Sequence, residues 1–318
     1  MNRYLLRRGV QLVPQLLILC VLSFALVHLT PGATGVVDLQ SVNAQDLVAL
    51  HKQLGLDRPL YVQFGDWLWH LVRLDFGRSF IDGEMVRDKI RDRLAATVLL
   101  TGSALLLAIV IAVPLGVLTS LHRNSFFDYA MTVFAFFGVS IPAFWAAIVA
   151  IILFSVKLHW FPVQGMRTVG QPVSSAALDL LRHLALPALV LGLEGTAALT
   201  RFVRSSMSEV LTEDYVRTAR AKGLRERAVL IRHALKNALL PLVTLIGLRL
   251  PALIGGSVLI ETVFAWPGIG RLAWESVVRR DYPVVLGLVV CTGILTIVGN
   301  LLADIAYAAI DPRIKLEA

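Results

Sequence analysis

Charge is scarce in this sequence. Only 16% of its 318 residues are Asp, Glu, Lys or Arg, while 57% are apolar. A soluble domain carries about 25% charged and ~45–50% apolar residues. Mean hydropathy is +0.72. A water-soluble globule and a disordered chain are excluded, and an integral membrane protein is the class that fits. Cysteine is nearly absent: Cys20 and Cys291 both lie in apolar runs expected to face lipid. That usage gives neither a disulfide framework nor a zinc-ligand spacing. No Gly-x-x-x-x-Gly-Lys-Ser/Thr occurs, so the chain has no phosphate-cradling loop. No His-Glu-x-x-His occurs, and the seven histidines are scattered without metal spacing. No catalytic residue, metal ligand or resident cofactor is therefore expected. Gly102-Ser103 is read as a small pair that lets helices approach closely, not as a nucleophile.

Apolar runs are abundant. A helix rises ~1.5 Å per residue, so about 20 apolar residues cross a ~30 Å hydrocarbon core. Runs of this kind cover 10–30, 94–121, 129–156, 183–200, 238–260 and 282–303. None shows the alternation of a membrane β-barrel. The expected fold is an all-α integral membrane protein with six transmembrane helices. With the N-terminus inside, fifteen basic residues fall on the inner side and six in the short outer loops. This asymmetry places both termini in the cytoplasm. The net charge of +8 is then topological and does not call for nucleic acid.

Three connecting segments carry pattern. In the long loop 31–93, Asn43 and Asp46 resemble an N-cap pair ahead of Leu47, Leu50 and Leu54, with Gly55 as the stop. A second helix is expected from about Pro59, carrying Trp67, Leu68, Leu71, Val72 and Leu74 toward the membrane surface or another subunit. Segment 201–236 holds nine basic and four acidic residues. Met207, Val210 and Leu211 form one helical stripe; Leu224, Val229, Ile231 and Leu235 form another, with Gly223 between them. This helix-break-helix unit reads either as a basic loop on anionic lipid or as a docking element for a cytoplasmic partner. Segment 261–283 contains Trp266-Pro267-Gly268-Ile269-Gly270, a tight irregular turn expected to re-enter the membrane or pack on a partner.

Glu194 and Arg249 fall within apolar runs. Charge there is costly, so each is expected to face protein or a water-filled pathway, with a Glu194–Arg249 pair left open. Pro142, Pro187, Pro241 and Pro251 are each expected to bend or interrupt a helix. Interrupted helices suit a conduit, and Ser140, next to Pro142, is a further candidate pathway residue.

Asp214-Tyr215-Val216-Arg217-Thr218-Ala219-Arg220-Ala221-Lys222-Gly223-Leu224 resembles the cytoplasmic coupling loop of ABC importer permeases. The likeness is to the peptide/nickel (dipeptide/oligopeptide) branch of the binding-protein-dependent transport family. Arg217-Thr218-Ala219 stands where the loop pattern has Glu-Ala-Ala; the glycine is kept as Gly223, and the later proline is displaced to Pro241. Leu54-Gly55-Leu56-Asp57-Arg58-Pro59-Leu60, Asp75-Phe76-Gly77-Arg78-Ser79, Ser140-Ile141-Pro142-Ala143-Phe144, 261–270 and Arg280-Asp281-Tyr282-Pro283 resemble further segments of the branch, in order. The long first loop resembles that of the first of two permeases.

The resemblance implies the N-terminus and first helix in 1–30, an extracytoplasmic loop in 31–93, a permease core in 94–310 that includes the coupling loop 201–237, and a cytoplasmic tail in 311–318. It implies a subunit of an importer in the prokaryotic cell membrane that forms half of a pathway for peptides. Partners would be a second homologous permease, two cytoplasmic ATPase subunits that bind ATP and Mg2+, an extracytoplasmic binding protein and membrane lipid. Asp214, Tyr215, Ala219, Gly223, Leu224, Arg225 and Val229 would meet the ATPase, with Leu224 and Val229 as anchors. Nickel, glutathione or another small solute remains open as the cargo. A stand-alone secondary transporter is the competing class, but no clear internal repeat is present.

Overall fold

The computed structural model describes residues 14–25, 58–170, 172, 175–239, 241–242, 245–246 and 257–310, with the backbone alone for 135–137, 139 and 302–310. Among these residues the regular structure is helical, with one isolated antiparallel bridge between Arg78 and Met85. The elements are α1 (Pro14–Ala25), α2 (Leu60–Val72), α3 (Val86–Leu121) and α4 (Phe126–Ser140). Then come α5 (Ala143–Ala150), which continues as a π segment Ile151–Lys157, and α6 (Ala176–Val210). Next are α7 (Asp214–Ala221) and α8, which runs as Glu226–Ala228, a π segment Val229–Leu235 and Lys236–Ala238. The series closes with α9 (Val258–Val263), α10 (Ile269–Val278) and α11 (Tyr282–Ile310).

Three described helices are long and apolar enough to cross a membrane: Val86–Leu121, Ala176–Val210 and Tyr282–Leu301. The third apolar run is split. Ile141 and Pro142 separate α4 from α5, because proline disfavours helical backbone at the residue before it. Of the bend or interruption expected at Pro187, no interruption occurs. Helix α6 continues through it, as helix α3 does through Pro114. Most of the fifth run, with Pro251 and Arg249, and the proposed N-cap pair Asn43/Asp46 lie outside the described residues.

Among the described residues the α3–α6 interface is the most extensive between helices. Along α3, Ala96, Leu100, Ala104, Ala108, Ala112 and Gly116 recur every fourth residue and are all buried. Small side chains let the backbones approach. A Cβ built on Gly192 would stand 2.8 Å from the carbonyl oxygen of Ala104, and one on Gly116 would stand 2.6 Å from Val203 Cβ. The close approach therefore falls on this face rather than at Gly102, where a Cβ would meet nothing within 4 Å. Cys20, expected against lipid, is buried in protein. Helix α2 starts after Pro59 as expected and turns Phe64 and Trp67 onto Phe24 of α1, with ring centroids 5.3 and 5.8 Å from Phe24.

Candidate functional site: the Gly223 bend and its supports

Helix α6 runs past its apolar stretch to Val210, and a short turn starts α7 at Asp214. The chain then reverses at Gly223. Its φ of 75° is a left-handed conformation open to glycine at little cost. The Gly223 N–H donates to the Arg220 carbonyl at 2.9 Å, and the Leu224 N–H donates to the Ala219 carbonyl at 3.4 Å. This pair of bonds is a Schellman termination of α7. Beyond it Arg225 begins α8. Arg220 spans the bend: its Nη2 lies 2.8 Å and its Nε 3.2 Å from the Glu226 carboxylate. The Arg220 hydrogen bond holds the Glu226 carboxyl below the usual carboxylate range, and Glu226 in turn raises the Arg220 guanidinium.

The residues expected to couple divide into two sets. Val216 and Ala219 of α7 and Val229 of α8 form one buried cluster, with Val210 packed against it. Val229, expected as an outward anchor, faces the chain's own interior. Tyr215 and Leu224 are exposed large hydrophobics at 40% and 44%, and Asp214 and Arg225 are also exposed. Helix α8 is tied into the bundle. Ala234 and Ala238 pack with Val203 and Met207 of α6 and with Ala108 and Ala112 of α3, and Ser206 Oγ donates to the Ala238 carbonyl at 2.9 Å. Helix α8 is thus close-packed against both long helices.

A second support has no local signature in the sequence. Asp128 of α4 is 2% exposed and accepts from Arg204 Nη2 of α6 at 2.7 Å and from the Asn124 N–H at 3.1 Å. It joins the α3–α4 turn to the last turns of α6. The candidate pathway residues are more dispersed. Ser140 is exposed at the α4–α5 break, and Glu194 is exposed on α6. Arg249, and with it the Glu194–Arg249 pair, lies outside the described residues.

The Trp-Pro-Gly turn closes on the chain itself. Trp266 is fully buried and its Nε1 donates to the Ala96 carbonyl at 2.8 Å. Glu261, also fully buried, accepts from Thr97 Oγ1 and from the Arg271 N–H, each at 2.9 Å. Thr97 Oγ1 also accepts from the Ile269 N–H at 2.7 Å. The carboxylate thus sits over the first turn of α10, where free N–H groups and the helix dipole favour an anion. Burial pushes the Glu261 carboxyl up, against the pull of these bonds. Gly268 makes room: a Cβ there would stand 2.3 Å from the carboxylate. Nearby, Asp281 is buried and accepts from Ser79 Oγ at 2.5 Å and from the Phe80 N–H at 3.0 Å. That contact ties the first loop to the last. Glutamate before an apolar turn was the available signal for the first device; nothing local marks Ser79 as a partner of Asp281.

This geometry is that of a helical membrane subunit with a braced bend outside its spans. The chain belongs to the family described as the binding-protein-dependent transport system inner membrane component, whose profile matches residues 112–316, with the N-terminal component of the same family matching residues 1–101. It is 42% identical to the oligopeptide transport system permease protein AppB of Bacillus subtilis over 99% of this chain and 100% of that one. It is 46% identical to a putative peptide permease protein of Brucella suis over the same shares. The glutathione transport system permease protein GsiC of Salmonella choleraesuis is 40% identical over 99% of each chain. Among solved structures, the inward-facing MetNI methionine ABC transporter has a chain that matches 70% of this one and is itself 96% covered, at a TM-score of 0.51 and 19% identity. That likeness shows a shared permease fold.

Proposed function

We propose that this chain is one of two homologous permeases of an ATP-driven importer, forming half of a pathway for di- or oligopeptides delivered by an extracytoplasmic binding protein. Full-length similarity to peptide permeases carries the reading. Two cytoplasmic ATPase subunits bind ATP and Mg2+ and dock on the exposed surface around Tyr215, Leu224 and Arg225, with Asp214 beside them. Ala219 and Val229 act behind this surface by holding α7 against α8. ATP-driven closure moves the bend, α8 passes the movement to α6 and α3, and the pathway alternates between its two states. The coupling works only if ATP binding differs between those states. The chain lies in the prokaryotic cell membrane with six spans and both termini cytoplasmic, and Ser140, Glu194 and Arg249 contribute to the pathway. Glutathione is the second reading for the cargo, on the strength of the Salmonella relative.

Reconstituted transporter supplied with its binding protein tests the cargo: labelled di- and oligopeptides are expected to accumulate with ATP, and glutathione to compete poorly. Uptake of glutathione with no uptake of peptides overturns the peptide assignment. The purified chain alone is expected to hydrolyse no ATP.

A further inference from the structure

Helix α2 has two apolar surfaces, and the described residues cover one of them. Phe64 and Trp67 pack on Phe24 of α1. Tyr61, Gly65, Trp69 and Val72 follow one another at four- and three-residue steps, so they share a different flank. On that flank Tyr61, Trp69 and Val72 are 77%, 58% and 72% exposed. Asp66, His70 and Arg73 share the next strip and are exposed as well. Asp66 there accepts from Arg58 at 3.2 Å. The helix is thus apolar over two adjoining sectors and charged over a third.

We infer that α2 is an interfacial helix, with its Tyr61–Trp69–Val72 flank seated in the headgroup and upper acyl region of the bilayer. The inference rests on the membrane-subunit reading and not on the cargo. Three observations select lipid as the covering. The first is depth: Phe24 lies within the apolar run 10–30, so its contact with Phe64 and Trp67 holds α2 at the membrane boundary rather than out in water. The second is continuity. Ile18, Val21 and Leu22 of the same α1 are exposed apolar residues, and lipid covers such a face on a spanning segment. The third is composition. Tyr and Trp rings are amphipathic and collect at headgroup level. The Arg73 guanidinium lies 4.4 Å over the Trp69 ring, at the border between the apolar flank and the charged strip. Its stem can follow the apolar surface while the cation stays with phosphate and water. An amphipathic helix with this division lies with its apolar side ~5–10 Å into the headgroup and acyl boundary. The first loop is then held to the bilayer through α2 and to the last loop through Ser79 and Asp281.

The test places the photoreactive residue benzoylphenylalanine at position Tyr61, Trp69, Asp66 or Ile18 of the assembled transporter in lipid nanodiscs, with the binding protein present, and identifies adducts by mass spectrometry. Ile18, exposed on α1, is the reference for lipid contact. Lipid adducts at Tyr61 and Trp69 are expected to approach those at Ile18 and to exceed those at Asp66 several-fold. Adducts at Tyr61 and Trp69 to another subunit or to the binding protein overturn the inference, as do equal lipid adducts at Trp69 and Asp66. Lipid adducts at Ile18 alone overturn it and leave the permease reading standing. Spin labels at Val72 and His70, in a Cys20→Ser, Cys291→Ser background, give a second readout. The label at Val72 should collide mainly with oxygen, which partitions into lipid, and the label at His70 with a water-soluble nickel chelate. The same preference at both positions overturns the inference.

Discussion

Arg220 and Glu226 face each other across Gly223, with guanidinium and carboxylate 2.8 Å apart. They are six residues apart in sequence, a spacing that brings no pair together on a continuous helix. The bend creates the pair, and the pair in turn holds the bend closed. Glu226→Gln is expected to widen the distance distribution between spin labels placed at Thr218 and Arg227. The widening should be modest, since exposed ion pairs contribute little. The pH response follows from the depressed Glu226 value. A carboxyl with a depressed folded-state value stabilises fully above the unfolded value, about 4.3, and loses that contribution as pH falls through the folded value. The distribution should therefore be unchanged between neutral and mildly acidic pH and should broaden only in strong acid.

Glu261 should matter for stability. Glu261→Ala leaves the Arg271 N–H and the Thr97 hydroxyl without their buried acceptor. Such groups cost about 1–3 kcal/mol each when unsatisfied. Gly268→Ala drives a methyl into the same carboxylate. Both variants are expected to lower the thermal midpoint of the purified protein, and Glu261→Gln to lower it less. Because burial raises the Glu261 value, the folded state holds this proton to higher pH than the unfolded chain. Stability from this group is greatest in acid and declines as pH rises through the folded value. Glu261→Gln should flatten that part of the melting profile, and an unchanged profile contradicts it.

How much of this was legible depended on the range of the interaction. Apolar runs mark α3, α6 and α11 because burial in lipid needs continuous apolar length. Gly223 and the Trp-Pro-Gly turn are visible because backbone geometry leaves a local signature. The small residues Ala104, Ala108, Ala112 and Gly116 also form a stripe at helical spacing, which Gly102 does not share. Pairs such as Asp128–Arg204, Thr97–Glu261 and Ser79–Asp281 were not legible. Their members are ordinary polar residues far apart in sequence, and only the packed bundle brings them together. Val229 faces inward against expectation, because an amphipathic stripe does not say whether its apolar face meets a partner or the chain itself.

Asp281 anchors the first loop. Asp281→Ala leaves the Ser79 hydroxyl and the Phe80 N–H without their acceptor. Limited proteolysis is expected to cleave between Asp75 and Glu84 several-fold faster in the variant, because a loop freed of its tether opens more often. Ser79→Ala should fall between the variant and the wild type. Equal cleavage in all three means that the tether does not restrain the loop.

Transmission of ATP-driven movement by the bend at Gly223, as proposed above, is tested by substitutions at that position. A Cβ at Gly223 meets nothing within 4 Å in this chain, so the penalty of a side chain comes from the φ of 75°. Left-handed backbone costs L-residues about 1–2 kcal/mol and suits asparagine better than β-branched residues. Transport and ATPase co-purification should be measured at matched expression for Gly223→Val, Gly223→Asn and Arg225→Ala. Gly223→Val is expected to insert normally but lose transport, Gly223→Asn to keep most of it, and Arg225→Ala to be mild. Normal transport by Gly223→Val would rule out transmission through the bend and leave this segment a basic connector.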